Sequence, residues 1–442
     1  MVQLFMEQDK LQKSTITLSS VFQLWWPLAG SWALMGLELP AVSAIMARLA
    51  EPEIHLAAYG GVVFPISLLI EAPVIMLLAA STALSKDWNA YRFLRRFMLQ
   101  LACSLTLLHI LVAFTPLYDV VVIGVLGVPN EIVEPARMGL MLMTPWTAAI
   151  AVRRFQQGLL IRFGHTHSVG IGTAVRLSAN GTVLLLGLFV GDIPGIVVGT
   201  AAVSLGVMSE ALFIHIRVQP LLRILRDQSG ATSDSLTLRQ LLTFYLPLAV
   251  TPLLTLLSLP IGSAALSRMP RALESLAVWP VLAGLSFTMR SFGLAYQEVV
   301  VALIERPGSI KTLRRFAEIL GVATSGLLLV IASTPLATVW FADLAGLSPE
   351  LTALGASAIW LAIFMPALSV IESFFQGMLV QSRRTKAIIQ AVIIYLFTNS
   401  TILVGGTYYG QVTGLYIGVM AVVLGHSLQS FWLWKRSPSL EV

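Results

Sequence analysis

Arg153-Arg154-Phe155-Gln156-Gln157-Gly158 lies inside an apolar run from about Ala136 to Gly164. A charged side chain at mid-bilayer costs roughly 2.5 kcal/mol or more, so two adjacent arginines there need a reason. Glu372-Ser373-Phe374-Phe375-Gln376-Gly377 sits in a second apolar run, at an offset of 219 residues. Phe, Gln and Gly recur in register, but Glu372 stands where the first copy has Arg153. The two segments imply a chain made of two copies of one plan, with a charge reversed between them.

Composition says what kind of chain this is. Of 442 residues, 57% are hydrophobic and only 11% charged, against about 25% charged in soluble domains. The chain reads as an all-α polytopic membrane protein. A net charge of +6 would suggest nucleic acid in a soluble protein; here it fits short basic loops on one side of a bilayer. The single cysteine, Cys103, excludes an intramolecular disulfide. Residues 1–20 are polar and lack the apolar core and cleavage site of a signal peptide, so the first apolar helix is expected to be an uncleaved anchor.

A spanning helix needs about 20 apolar residues. Twelve candidate spans follow, at 21–48, 55–85, 93–116, 136–161, 166–190, 194–218, 238–267, 274–304, 313–340, 351–380, 386–409 and 412–434. The polar stretch 219–237 divides them as a cytoplasmic linker. The outer connections 117–135 and 341–350 each hold a turn and a short interfacial element. Twenty of the 28 Lys and Arg residues fall on the side of the two termini, among them Lys10, Lys13, Arg95, Arg96, Arg314, Arg315, Arg383 and Lys435. Four lie opposite: Arg48, Arg137, Arg268 and Arg271. Positive loops face the cytoplasm, so both termini, tails 1–20 and 437–442, are expected there, in a bacterial cytoplasmic membrane.

The repeat extends well beyond the opening segments. Residues 155–206 match 374–425 at 17 of 52 positions without gaps, including Gly158/Gly377, Asn180/Asn399 and Gly199/Gly418. Upstream, Leu94-Arg95-Arg96-Phe97 matches Leu313-Arg314-Arg315-Phe316. Pro27, Pro40 and Arg48 match Pro247, Pro260 and Arg268 at offset 220. The halves 21–218 and 238–436 each hold six helices, so both enter the membrane from the same side. Such parallel repeats are a transporter plan. The expectation is two pseudo-symmetric six-helix lobes that alternate access to a central site.

Ionisable residues within spans are candidate functional groups. Here they are Glu38, Glu71, Arg153, Arg154, Arg176, Glu210, Arg290, Glu298 and Glu372; His109 reads as a packing histidine. The repeat aligns Glu71 with Arg290 and Arg153 with Glu372, so each half has one acid and one base with the signs exchanged. Ion pairs within each lobe follow, Glu71 with Arg153 and Arg290 with Glu372. Cross-lobe pairs, Glu71 with Arg290 and Arg153 with Glu372, are the less favoured alternative. Static glue reads as well as a transport role. Arg154 and Arg176 face Ser373 and Tyr395 in the alignment and leave the first half with surplus positive charge. Arginine forks bind carboxylate or phosphate, which suits an anionic substrate, with Arg153, Arg290, Asn180 and Asn399 as further candidates. Glu38, two residues before the kink of Pro40, joins Glu71 and Glu298 as a candidate proton or cation site. Pro247, Pro252 and Pro260 mark helix seven as interrupted, so helices 1, 2, 7 and 8 are expected to line the cavity. No metal spacing, phosphate loop or catalytic constellation appears, so the expectation is no enzyme, no metal and no cofactor.

Two six-helix lobes with Pro-containing helices one and seven resemble the multidrug/oligosaccharidyl-lipid/polysaccharide (MOP) flippase superfamily, which includes the MATE exporters. Phe155 to Thr166 looks like that family's end of helix four. Trp26-Pro27-Leu28, the acid in helix one and Leu56-Ala57-Ala58-Tyr59-Gly60 are similar to the progressive ankylosis protein family. That second resemblance implies export of pyrophosphate, citrate or nucleotide. The first implies drug or cation export against protons or sodium, with Glu38 matching the acid of helix one. The leading expectation is a secondary exporter of a small organic or phosphate-containing anion, acting as a monomer in the bilayer with a proton or sodium as coupling ion. A MATE-type multidrug/cation exporter is the alternative. A lipid-linked flippase is disfavoured because the chain lacks extra helices for a lipid groove. A non-transporting scaffold is the reading from another class.

Overall fold

A computed structural model describes residues 16–227, 236–306, 308–382 and 384–437. The expected tails in residues 1–15 and 438–442, Lys10, Lys13, Arg383 and the linker residues 228–235 lie outside the described residues. Among the described residues the chain is all helical. Eleven helices among the described residues are long and apolar enough to cross a membrane. They are α1 (Leu18–Met46), α2 (Pro52–Leu84), α3 (Trp88–Phe114), α5 (Thr166–Val190), α6 (Gly195–Asp227), α7 (Leu238–Leu266), α8 (Ala272–Leu303), α9 (Ser309–Ser333), α10 (Pro349–Gln381), α11 (Thr385–Tyr409) and α12 (Gly414–Arg436). The twelfth expected span is α4 (Val133–Arg162). It has the length, 30 residues, but Glu134, Arg137, Arg153, Arg154 and Arg162 keep it out of the apolar set.

Three expectations need correction. Helix α6 does not stop at 218. It runs to Asp227 because Val218, Leu221 and Leu225 recur at helical spacing and are buried, so 219–227 is helix rather than linker. Helix α7 is continuous through Pro247, Pro252 and Pro260; proline in a membrane helix can be absorbed by local adjustment. The interruptions fall elsewhere: at Leu37 in α1, in the wide turn Tyr59–Val63 and the tight turn Ala72–Met76 of α2, and at Ile363–Phe364 in α10. The outer connection 117–135 carries a short helical element, Leu117–Leu126; its counterpart, Leu336–Leu344, begins inside the expected span 313–340, because α9 ends at Ser333 ahead of an extended Thr334 and Pro335.

The chain divides into two compact units: residues 41–280 with 409–414, and residues 1–40 with 281–408 and 415–442. Their boundaries fall at Pro40 inside α1 and Pro280 inside α8, so they do not coincide with the halves of the repeat. In lipid there is little hydrophobic drive between helices, and close van der Waals approach replaces it. In the first unit Gly158 of α4 lies against α2; a Cβ there would collide with the Leu78 carbonyl oxygen. Tyr245 of α7 donates a hydrogen bond to the Pro73 carbonyl. The Arg268 guanidinium closes the end of the Leu117–Leu126 element through the carbonyls of Val125 and Leu126, both at 2.7 Å. His109 is buried between Thr147 Oγ1 (3.2 Å) and the Leu140 carbonyl (3.0 Å), a packing histidine.

The second unit repeats the device. Gly377 of α10 lies against α8, where a Cβ would stand 2.7 Å from a Val300 methyl. The Trp25 indole donates to the Phe292 carbonyl at 2.9 Å and rests on the Phe292 and Phe316 rings. Tyr296, Leu313, Phe316, Val370, Phe374 and Met378 form its core.

Candidate functional site

Each unit contains a buried polar cluster where its fourth, fifth and sixth repeat helices meet. In the first unit Glu210 of α6 is fully buried and is the hub. Arg153 of α4 donates to its Oε2 at 2.7 Å, and Gln157, one turn on, donates to its Oε1 at 2.9 Å. Arg176 of α5 approaches Oε2 at 3.4 Å. The i, i+4 spacing of Arg153 and Gln157 puts both on the face of α4 that meets α6. A buried guanidinium is tolerable only with its charge met and its donors engaged, and one carboxylate receives three donor side chains here.

The expected pair of Glu71 with Arg153 is not formed. Arg153 is taken by Glu210. Glu71 is buried with Oε2 lacking a hydrogen-bond partner among the described residues, and it experiences Arg153, Arg154 and Arg176 through space. Arg154 is half-buried on the next face of α4. It feels Glu71 and Glu210 electrostatically, yet no carboxylate among the described residues reaches it at ion-pair distance, and its Nε has no hydrogen-bond partner.

In the second unit Glu372 of α10 takes the place of Arg153. Its Oε1 meets His426 Nδ1 of α12 at 2.8 Å and accepts a hydrogen bond from Ser430 at 3.4 Å. Tyr395 of α11, aligned with Arg176, lies with its ring 4.6 Å from that of His426. The expected Arg290–Glu372 pair is not formed either. Arg290 of α8 keeps a buried Nε without a hydrogen-bond partner and acts on His426 through space.

The remaining candidates are scattered. Glu38 is half-buried at the start of the second segment of α1, where a carboxylate meets the positive end of the helix dipole. Glu298 is exposed on α8 and accepts from the Trp32 indole at 3.4 Å. Asn180 and Asn399 are both buried, at 2% exposure. An open apolar hollow of about 620 Å³ between α2, α4 and α7, lined by Leu78, Ile161, Phe244 and Pro247 among others, has no charged residue in its lining. Among the described residues no group of three or more His, Cys, Asp or Glu could hold a metal ion.

The partners, Glu210 and His426, are not marked by the repeat. Glu210 is among the intramembrane acids, but the repeat sets it opposite Gln429, which gives no charge signal. His426 is one histidine in an apolar run. The contacts of α4 with α6 and of α10 with α12 bridge 57 and 54 residues, beyond any local spacing rule.

No known protein family matches the chain by sequence, and no curated protein matches it. Solved structures do match in fold. A multidrug resistance MATE family transporter of the MOP superfamily, in an inward-facing conformation, superposes with a TM-score of 0.63 at 16% identity, covering 91% of this chain and 96% of that one. The lipid II flippase MurJ, in an inward closed conformation, gives 0.68 at 14% identity over 92% and 86%. A MOP superfamily transporter from Pyrococcus furiosus, described as having a binding pocket of reverse polarity that suggests a different function, gives 0.59 at 15% over 96% and 98%. At these identities the likeness is one of fold, and this multi-pass membrane chain is similar to the MATE and MOP transporters in that sense.

Proposed function

We propose that the chain is a secondary transporter that moves a small organic or phosphate-containing anion, of the citrate, pyrophosphate or nucleotide class, by alternating access. Arg154 is the observation that carries this reading. It is a half-buried guanidinium in a spanning helix, with no carboxylate at ion-pair distance among the described residues. An unpaired Arg fork in a membrane is costly unless a ligand meets it, and the ligand it suits is an anion. Arg153 and Arg176, held on Glu210, set the positive field around it. The likeness in fold to MATE and MOP superfamily transporters supports transport as the activity. The positive-inside bias of the loops supports cytoplasmic termini, and a monomer is the working unit.

A MATE-type exporter of cations is the second reading. It is favoured by the exposed carboxylate of Glu298, with Glu38 as a further acid in the same unit. The test is flux in proteoliposomes of citrate, pyrophosphate and a cationic dye, with and without proton or sodium gradients. Anion flux that falls at least tenfold in Arg154→Ala supports the anion reading. Dye flux without anion flux overturns it.

A further inference from the structure

The two clusters occupy equivalent places in the repeat but differ in the chemistry that closes them. In the first unit the cations on Glu210 are Arg153 and Arg176, and arginine stays protonated at all physiological pH. In the second unit the only side chain at ion-pair distance from Glu372 among the described residues is an imidazole, His426 Nδ1 at 2.8 Å. Histidine gains and loses a proton between about pH 5 and 8. One lock is thus permanently charged; its counterpart can be charged or discharged.

We infer that Glu372 and His426 form a proton-binding site. With one proton fewer, imidazole Nδ1–H donates to Glu372 Oε1, Nε2 carries a lone pair, and the pair has a charge of −1. A proton taken from water at Nε2 makes the imidazolium and brings the pair to zero; its release restores the starting state. Groups from four helices act on the pair. Glu372 comes from α10, Ser430 from α12 with its hydroxyl on Oε1, Tyr395 from α11 with its ring on the imidazole, and Arg290 from α8 with a charge opposite in effect to that of Glu372. The site differs from the acids Glu38, Glu71 and Glu298. Proton binding needs no substrate; its use as the coupling step rests on the transporter reading.

The test is nitrogen-15 NMR of histidine-labelled full-length protein in lipid nanodiscs. The chain has 6 histidines, and the His426 signal is the one lost in His426→Gln. The expected result is a titration of that signal between about pH 5 and 8, with its midpoint displaced by about one pH unit or more in Glu372→Gln. No titration across that range, or a midpoint indifferent to Glu372→Gln, overturns the site. His426→Arg installs the permanent cation of the other unit and should fold. In proteoliposomes carrying citrate, pyrophosphate and the dye, it should abolish the dependence of flux on a proton gradient. Unchanged proton dependence in His426→Arg overturns the coupling role. Absence of flux for all three probes counts against the transporter reading, while the NMR titration still decides the proton site.

Discussion

Glu210 is the residue on which the first unit's polar interior depends. Its removal leaves Arg153, Arg176 and Gln157 without their shared acceptor in a fully buried place. Breaking a buried pair by removing one partner costs about 3–5 kcal/mol. Glu210→Gln should therefore lower the thermal midpoint in detergent by several degrees. The double change with Arg153→Gln should cost clearly less than the two single changes added together, because the orphaned charge is then gone. Additive losses would show that the two side chains act independently. The sequence made the Arg153/Glu372 exchange legible because the repeat aligned them. It hid Glu210 and His426 because their positions are not equivalent: His426 aligns with Val207, so each lock uses a different turn of its sixth helix. A charge-pairing argument confined to aligned positions had to choose Glu71 and Arg290, the nearest aligned acid and base.

Spans were legible at the scale of the element, since apolar length is a local property; several of their ends were not. The errors arose where a local rule met tertiary context. The polar run after 218 hid an apolar stripe at Val218, Leu221 and Leu225, and the prolines of α7 marked breaks that the helix absorbs. Two element-scale expectations follow. Leu221→Asp places a charge on the buried stripe of α6 and should expose the helix end to proteolysis near Asp227; equal resistance to protease would show that the stripe contributes little. Gly158→Leu and Gly377→Leu should each force apart helices that now approach within Cβ contact, with losses of about 1–3 kcal/mol as in other overpacked sites. Matched losses at the two positions would show that the repeat carries the same packing constraint twice.

Topology can be tested directly at the scale of the whole molecule. With Cys103→Ser as background, Arg271→Cys and Arg436→Cys should label from opposite sides of the membrane with an impermeant maleimide, Arg436 from the cytoplasm. Labelling of both from one side would undo the orientation read from the loops. The repeat divides the sequence into two halves, whereas the compact units divide the chain at Pro40 and Pro280. A repeat records ancestry and symmetry of sequence, whereas contacts record which helices share an interior, and here α7 shares one with α2 through Tyr245 and Pro73.

Helix α6 has one more consequence. Its 33 residues make a rod about 50 Å long, while the hydrocarbon layer is about 30 Å thick. Its length therefore exceeds that layer by roughly 20 Å. A soluble helical protein spliced in phase after Asp227 would inherit the orientation of α6 without a flexible joint. Such a fusion would give the lipid-wrapped particle a landmark for imaging, and a handle whose tilt reports on that helix.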